Sequence, residues 1–200
     1  MLDHHALRSL DTLTRGDLLT LIGSARQFER AAAQADGRPA PLRGKNLALL
    51  SDNHASTAAA AFLRAATELG AHVARIRATE PGSTPGRDPR DMAGLLGQLY
   101  DAIECQGVAE DELRQLDRDC GVPVFNGIAS PEHPLQAVAT LMALQETQAA
   151  ALQVQGPARR LAELLGLPVA DAAASELPAA EAVARHHHHL LQAMLSSTLA

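Results

Sequence analysis

Four short apolar segments alternate with stretches whose apolar residues recur at helical spacing: KNLALLS (45–51), AHVARIRA (71–78), DAIECQ (101–106) and VPVFNGI (122–128). This alternation constrains the fold more than any other feature. Strands separated by helices form βαβ units, and right-handed crossovers turn such units into a parallel sheet covered by helices on both faces. A four-stranded parallel sheet is expected. Ligands of such sheets bind at the C-terminal ends of the strands, which here means the loops after Leu50, Arg77, Cys105 and Phe125.

The intervening segments carry helix signals. Thr14 with Asp17 three residues on resembles a capping box, and Leu18, Leu21, Ile22, Ala25 and Phe28 follow on one face. ADGRPAPLRG (35–44) breaks that helix. ASTAAAAFLRAATELG (55–70) reads as a helix capped by Ser56 or Thr57 and ended by Gly70. TEPGSTPGRDP (79–89) is a loop, either a mobile binding loop or merely a connector, followed by RDMAGLLGQLY (90–100), a helix weakened by two glycines; Asp88 and Asp91 suggest loop and helix capping. AEDELRQLDRDCG (109–121) is a further helix. PLQAVATLMALQETQAAALQVQ (134–155) reads as one long helix with Ala137, Leu141, Leu144 and Gln148 on a stripe.

Composition excludes several classes. With 200 residues the chain suits one compact domain or one and a half. The formal charge is −6 and Lys45, read as a surface charge, is the only lysine, so no nucleic-acid surface is expected. No apolar run approaches the ~20 residues of a membrane span, and MLDHHALRSL lacks the features of a signal peptide. Cys105 and Cys120 lack CxxC spacing and read as buried or half-buried thiols of a reducing compartment, with the cytoplasm expected.

The order of elements resembles the amino-terminal, carbamoyl-phosphate-binding domain of the aspartate/ornithine carbamoyltransferases over roughly residues 8 to 148. SLDTLTRGDLLTLIGSAR is similar to that family's first helix, LRGKNLALL to its first strand, ATELGAHV to its second helix end and second strand, and DAIECQ to its third strand. GVPVFNGIASPEHPLQAVATLMALQE is the most specific match, with Asn126, Gly127, His133, Pro134 and Gln136 standing as the family's Asn-Gly and His-Pro-x-Gln do. The first helix and NGIASPEHPLQ tilt the resemblance toward the ornithine type. It implies a three-layer α/β/α fold with strand order 2-1-3-4, a C-terminal helix packed back on the domain, no cofactor and no metal. His133 would hydrogen-bond the carbonyl oxygen of carbamoyl phosphate and Gln136 would hold its amide.

The departures concern the phosphate. The family grips it with Ser-Thr-Arg-Thr-Arg at the start of the second helix, through amides, helix dipole and bidentate arginines. Here the same place holds Ala55, Ser56, Thr57, Ala58 and Ala59. A shift of one residue restores Ser-Thr and neither arginine. Gln106 stands at a further family arginine after the third strand, and another falls near Gly94. A charge-assisted hydrogen bond contributes about 1.5–3 kcal/mol, so losing two or three weakens phosphate binding by several powers of ten at ~1.4 kcal/mol per tenfold. SDNHASTAAAAF is expected to be a former phosphate site kept as a helix cap. His54 beside it reads as a solvated loop histidine, since a free imidazole is mostly neutral at pH 7.

The family's second, amino-acid-binding domain has no counterpart in the fifty or so residues after the long helix. The expected organisation is a carbamoyltransferase-like domain over 1–150, a short remnant or linker over 151–180, and a closing helix over 181–200. On that helix Val183, Leu190, Leu191, Met194 and Leu195 share one side. His186 to His189 point in four directions, so at most His186 and His189 could share an ion; an exposed or partner-facing segment is expected. The resulting expectation is a non-catalytic family relative acting as an assembly or regulatory partner, as a homo-oligomer (a trimer in the family) or with a catalytic paralogue. Residual binding of carbamoyl phosphate or a small amide by His133 and Gln136, with groups from a neighbouring subunit, is the alternative; a folded chain without a selected role is a third.

Overall fold

The computed structural model describes residues 13–34, 39–77, 89–147, 151–170 and 178–200, with the backbone alone at 89–91. The loop over 79–88 and the side chain of Asp91, with their expected capping roles, lie outside the described residues, as does Gln148. Strands β1 (Asn46–Ser51), β2 (His72–Ile76), β3 (Ala102–Gln106) and β4 (Val124–Asn126) form one parallel sheet in the order β2-β1-β3-β4. Between and after them lie helices α1 (Arg15–Ala32), α2 (Thr57–Glu68), α3 (Pro89–Leu99), α4 (Glu110–Asp119), α5 (Pro134–Glu146), α6 (Gly156–Leu165) and α7 (Ala180–Leu199). Both the parallel sheet and the expected strand order are present.

The two-residue period of the strands sorts side chains between two helical layers. Leu47, Leu49, Ala102 and Phe125 join the core built with α1, α2, α5, α6 and α7. Ala48, Leu50, Ile103, Cys105 and Val124 face the other way, toward Ala93 and Leu96 of α3 and Leu113 and Leu116 of α4. β1 and β3 are buried on both faces, while β2 is a half-exposed edge. Thr14 and Asp17 form the expected capping box on α1, and Ser56 caps α2 by accepting from the Ala59 amide at 3.0 Å. Among the described residues no helix is long and apolar enough to cross a membrane.

Three features differ from expectation. The long helix ends at Glu146 instead of running to Gln155. Both the amide and the hydroxyl of Thr147 turn back onto the Leu144 carbonyl, and Leu152 then pairs with Val169 in a parallel bridge. The alanine-rich sequence favours continuation, but tertiary pairing overrides that weak preference. Lys45 is half-buried and pairs with Asp101 at 3.1 Å; Asp101 also accepts from the Asn46 amide, tying the start of β1 to the start of β3.

The third difference concerns the histidine run. His186, His187 and His189 are only 3%, 8% and 7% exposed, and His188 is half-buried. Helix α7 packs back against α1, α2 and α5 at once. Positions turning by about 100° each therefore meet protein in most directions. His188 bonds Glu68 at 2.8 Å, His189 bonds Gln192, and Arg185 and His186 face Glu29 of α1 and Glu146 of α5. His186 and His189 thus take different partners.

Candidate functional site

A cleft of about 520 Å³ opens at the C-terminal ends of β1, β3 and β4, where a parallel sheet places ligands. Ser51, Asn53 and Ser56 line it from the β1–α2 turn, Gln106 and Gly107 from the end of β3, and Asn126, Gly127, Ser130, Glu132 and His133 from the β4–α5 turn. The second turn is held by its own backbone. The Gly127 amide donates to the Cys105 carbonyl at 2.8 Å, the Ser130 amide to Gly127 at 2.8 Å and the His133 amide to Ser130 at 3.1 Å. Gly127 sits at φ 61, in the left-handed region that glycine enters without strain.

At the opening of α2 the chain satisfies its own amides. Asn53 accepts from the amides of Ala55 (side chain) and Ser56 (carbonyl), each at 3.2 Å, and Ser56 accepts from Ala59. Of the five residues expected at the phosphate position, Ser56 and Ala58 line the cleft, Ala55 is exposed and Ala59 is fully buried in the core. Thr57 and Ala58 line a neighbouring cavity of about 440 Å³ beneath α7, which also takes in Gln136. His133 and Gln136 thus face different cavities. Asp52 and Glu132 are the charged side chains among the described residues that line the cleft; none of those residues is Lys or Arg. Glu132 accepts from the Ser130 hydroxyl, which holds its carboxyl below the usual range. His54, in the β1–α2 turn, is half-buried rather than solvated: it is not among the residues lining the cleft, and its Nδ1 is buried without a hydrogen-bond partner.

His133 is the N-cap of α5. Its Nδ1 accepts from the Leu135 amide at 3.3 Å, so the neutral ring carries its proton on Nε2. Burial, with a smaller contribution from His187, lowers its pKa to about 4 from an ordinary 6.5. The unfolded chain therefore takes up this proton before the folded one does, and stability falls as pH drops from 6.5 toward 4. His133→Asn keeps a good capping side chain and should match the wild type within about 1 kcal/mol at pH 7. Near pH 4 it should keep on the order of 2–3 kcal/mol that the wild type loses. Urea unfolding at the two pH values measures the difference; equal acid sensitivity would show that His133 does not stay neutral.

Sequence reading missed Glu104. It is fully buried on β3, where its carboxyl accepts from Gln106 Nε2 at 3.2 Å and from the Ile128 amide at 3.4 Å. Burial outweighs both bonds and pushes its pKa up to about 8. A carboxylate in the middle of the apolar run DAIECQ was the available signal. Its neighbour Gln106 lines the cleft with its Oε1 buried and unpartnered.

Residues 5–146 match the family described as "Aspartate/ornithine carbamoyltransferase, carbamoyl-P binding domain". The chain belongs to the aspartate/ornithine carbamoyltransferase family. It is 35% identical over 130 residues to a catabolic ornithine carbamoyltransferase of Burkholderia mallei, covering 65% of this chain and 38% of that protein. It is 34% identical over 145 residues to an ornithine carbamoyltransferase of Actinobacillus pleuropneumoniae, covering 72% and 43%. The chain thus spans less than half the length of these curated relatives. The ornithine carbamoyltransferase structure from Pyrococcus furiosus superposes with a TM-score of 0.60 at 27% identity, over 71% of this chain and 45% of that one. That from Thermus thermophilus gives 0.67 at 19% identity over 97% and 98%, a likeness of fold. Asn126, Gly127, His133 and Pro134 line the cleft at the strand ends and Gln136 lines the neighbouring cavity, with no arginine among the described lining residues of either.

Proposed function

We propose that this chain has lost carbamoyl transfer and serves as a cytoplasmic assembly or regulatory partner, in an oligomer with itself or with a catalytic carbamoyltransferase. In this reading residues 1–150 are the carbamoyl-phosphate-binding unit, 151–180 a remnant linker and 181–200 the closing helix. The observation that carries it is the charge of the cleft. Among the described lining residues the charged groups are two carboxylates, which repel a phosphate dianion, the other donors are neutral, and the amides of the α2 turn are partly spent on Asn53 and Ser56.

The alternative, residual small-amide binding, draws on His133, whose neutral ring lines the cleft with its Nε2 proton. Gln136 facing the neighbouring cavity weighs against it. Light scattering on the purified chain, alone and mixed with a full-length ornithine carbamoyltransferase, tests the proposal. A defined oligomer, or a mixed complex with an altered transfer rate, is the expected result. A monomer that leaves the enzyme's mass and rate unchanged would overturn it.

A further inference from the structure

We infer that Glu29, Glu146 and His186 form a binding site for one transition-metal dication where α1, α5 and α7 meet, with Zn²⁺ the best chemical fit. Each side chain comes from a different helix, and their candidate ligand atoms all lie within 4.8 Å of one another. His186 is 3% exposed and is fixed by the packing of α7. Its Nε2 lies 3.1 Å from Glu146 Oε1. Its Nδ1 is buried without a hydrogen-bond partner, 3.8 Å from Glu29 Oε2. A neutral imidazole has one bare nitrogen, and each nitrogen of His186 has a carboxylate within 4 Å, so a cation held by that nitrogen would have carboxylate oxygens beside it.

The donor set of one imidazole and two carboxylates suits zinc and its neighbours, and leaves a position for water. Two carboxylates balance the charge of a dication. A cavity of about 400 Å³, lined by Arg26, Glu29, Arg30, Gln145, Glu146 and His186 among others, leads to the site. Arg26 is engaged with Gln145 at 3.3 Å. The competitor is Arg185, whose guanidinium bonds Glu29 at 2.9 Å and Glu146 at 2.7 Å. It is 43% exposed and can turn to solvent, but it bonds both Glu146 oxygens and Glu29, so the metal must outcompete a bidentate pair. The metal displaces Arg185 toward solvent and clamps α7 to α1 and α5.

Titration of the chelator-stripped, full-length chain with Zn²⁺ by calorimetry, paired with thermal unfolding, tests the site. One ion per chain at micromolar affinity or tighter, with a raised unfolding temperature and no response to Mg²⁺, is the expected result. His186→Gln and Glu29→Gln should each weaken binding by roughly tenfold or more, while Arg185→Gln should leave it intact or tighten it. Because Glu29 lies at the surface edge of the cluster, its variant decides the matter should His186→Gln not fold. Absence of saturable binding, or wild-type affinity in Glu29→Gln, overturns the site and assigns any bound zinc to the other histidines.

Discussion

Gly97→Ala should destabilise the chain by about 3 kcal/mol or more, beyond the usual range for an added methylene. A Cβ at position 97 would stand 1.7 Å from the Cys120 carbonyl oxygen and 2.7 Å from its carbon. Those are backbone atoms at the end of α4, so no side chain can move aside; the two helices must separate. Gly94, three residues earlier on α3, has nothing within 4 Å of its would-be Cβ. Gly94→Ala should instead gain up to about 1 kcal/mol from helix propensity. A fall of roughly 6–12 °C in unfolding temperature for the first and none for the second is expected for a chain of this size. Equal behaviour of the two alanine variants would mean that α3 and α4 do not meet at this carbonyl.

Glu104→Gln should stabilise the chain at neutral and higher pH and do little in acid. The folded carboxyl has its pKa at about 8 against an ordinary 4.5. Between those values the folded chain binds the extra proton, so stability falls as pH rises from 4.5 to 8. Removing the ionisation should recover on the order of 3 kcal/mol at pH 7 to 8, and the gain should vanish below pH 4.5. The amide introduced by this substitution can still accept one bond through its carbonyl, from either Gln106 or Ile128. Chemical denaturation across that range gives the answer. A variant less stable than wild type at pH 7.5 would mean that the buried carboxyl is ionised and paired.

The sheet, its position in the chain and the caps of α1 and α2 were legible because each rests on local pattern: apolar runs, a Thr-x-x-Asp box and a Ser before an alanine-rich helix. Strand order came from the resemblance, not from periodicity. The absence of arginine at the phosphate position was also plain in the letters of SDNHASTAAAAF, and the structure adds why the turn persists: Asn53 and Ser56 bond its amides. What could not be read depends on tertiary contact. Two glycines of α3 look alike in sequence, yet only one meets a carbonyl. The histidine run reads as polar surface until α7 is seen packed against three helices. Likewise, only the placement of α7 reveals that Gln136 faces a cavity other than that of His133.

The proposed loss of carbamoyl transfer turns on whether the cleft holds a phosphate. Isothermal titration of the folded chain with carbamoyl phosphate, with its mass followed by light scattering, is the decisive test. No saturable heat up to millimolar ligand is expected on a well-folded sample. Saturable binding in the micromolar range, weakened by Ser56→Ala or His133→Ala, would contradict the loss and return the cleft to the catalytic family.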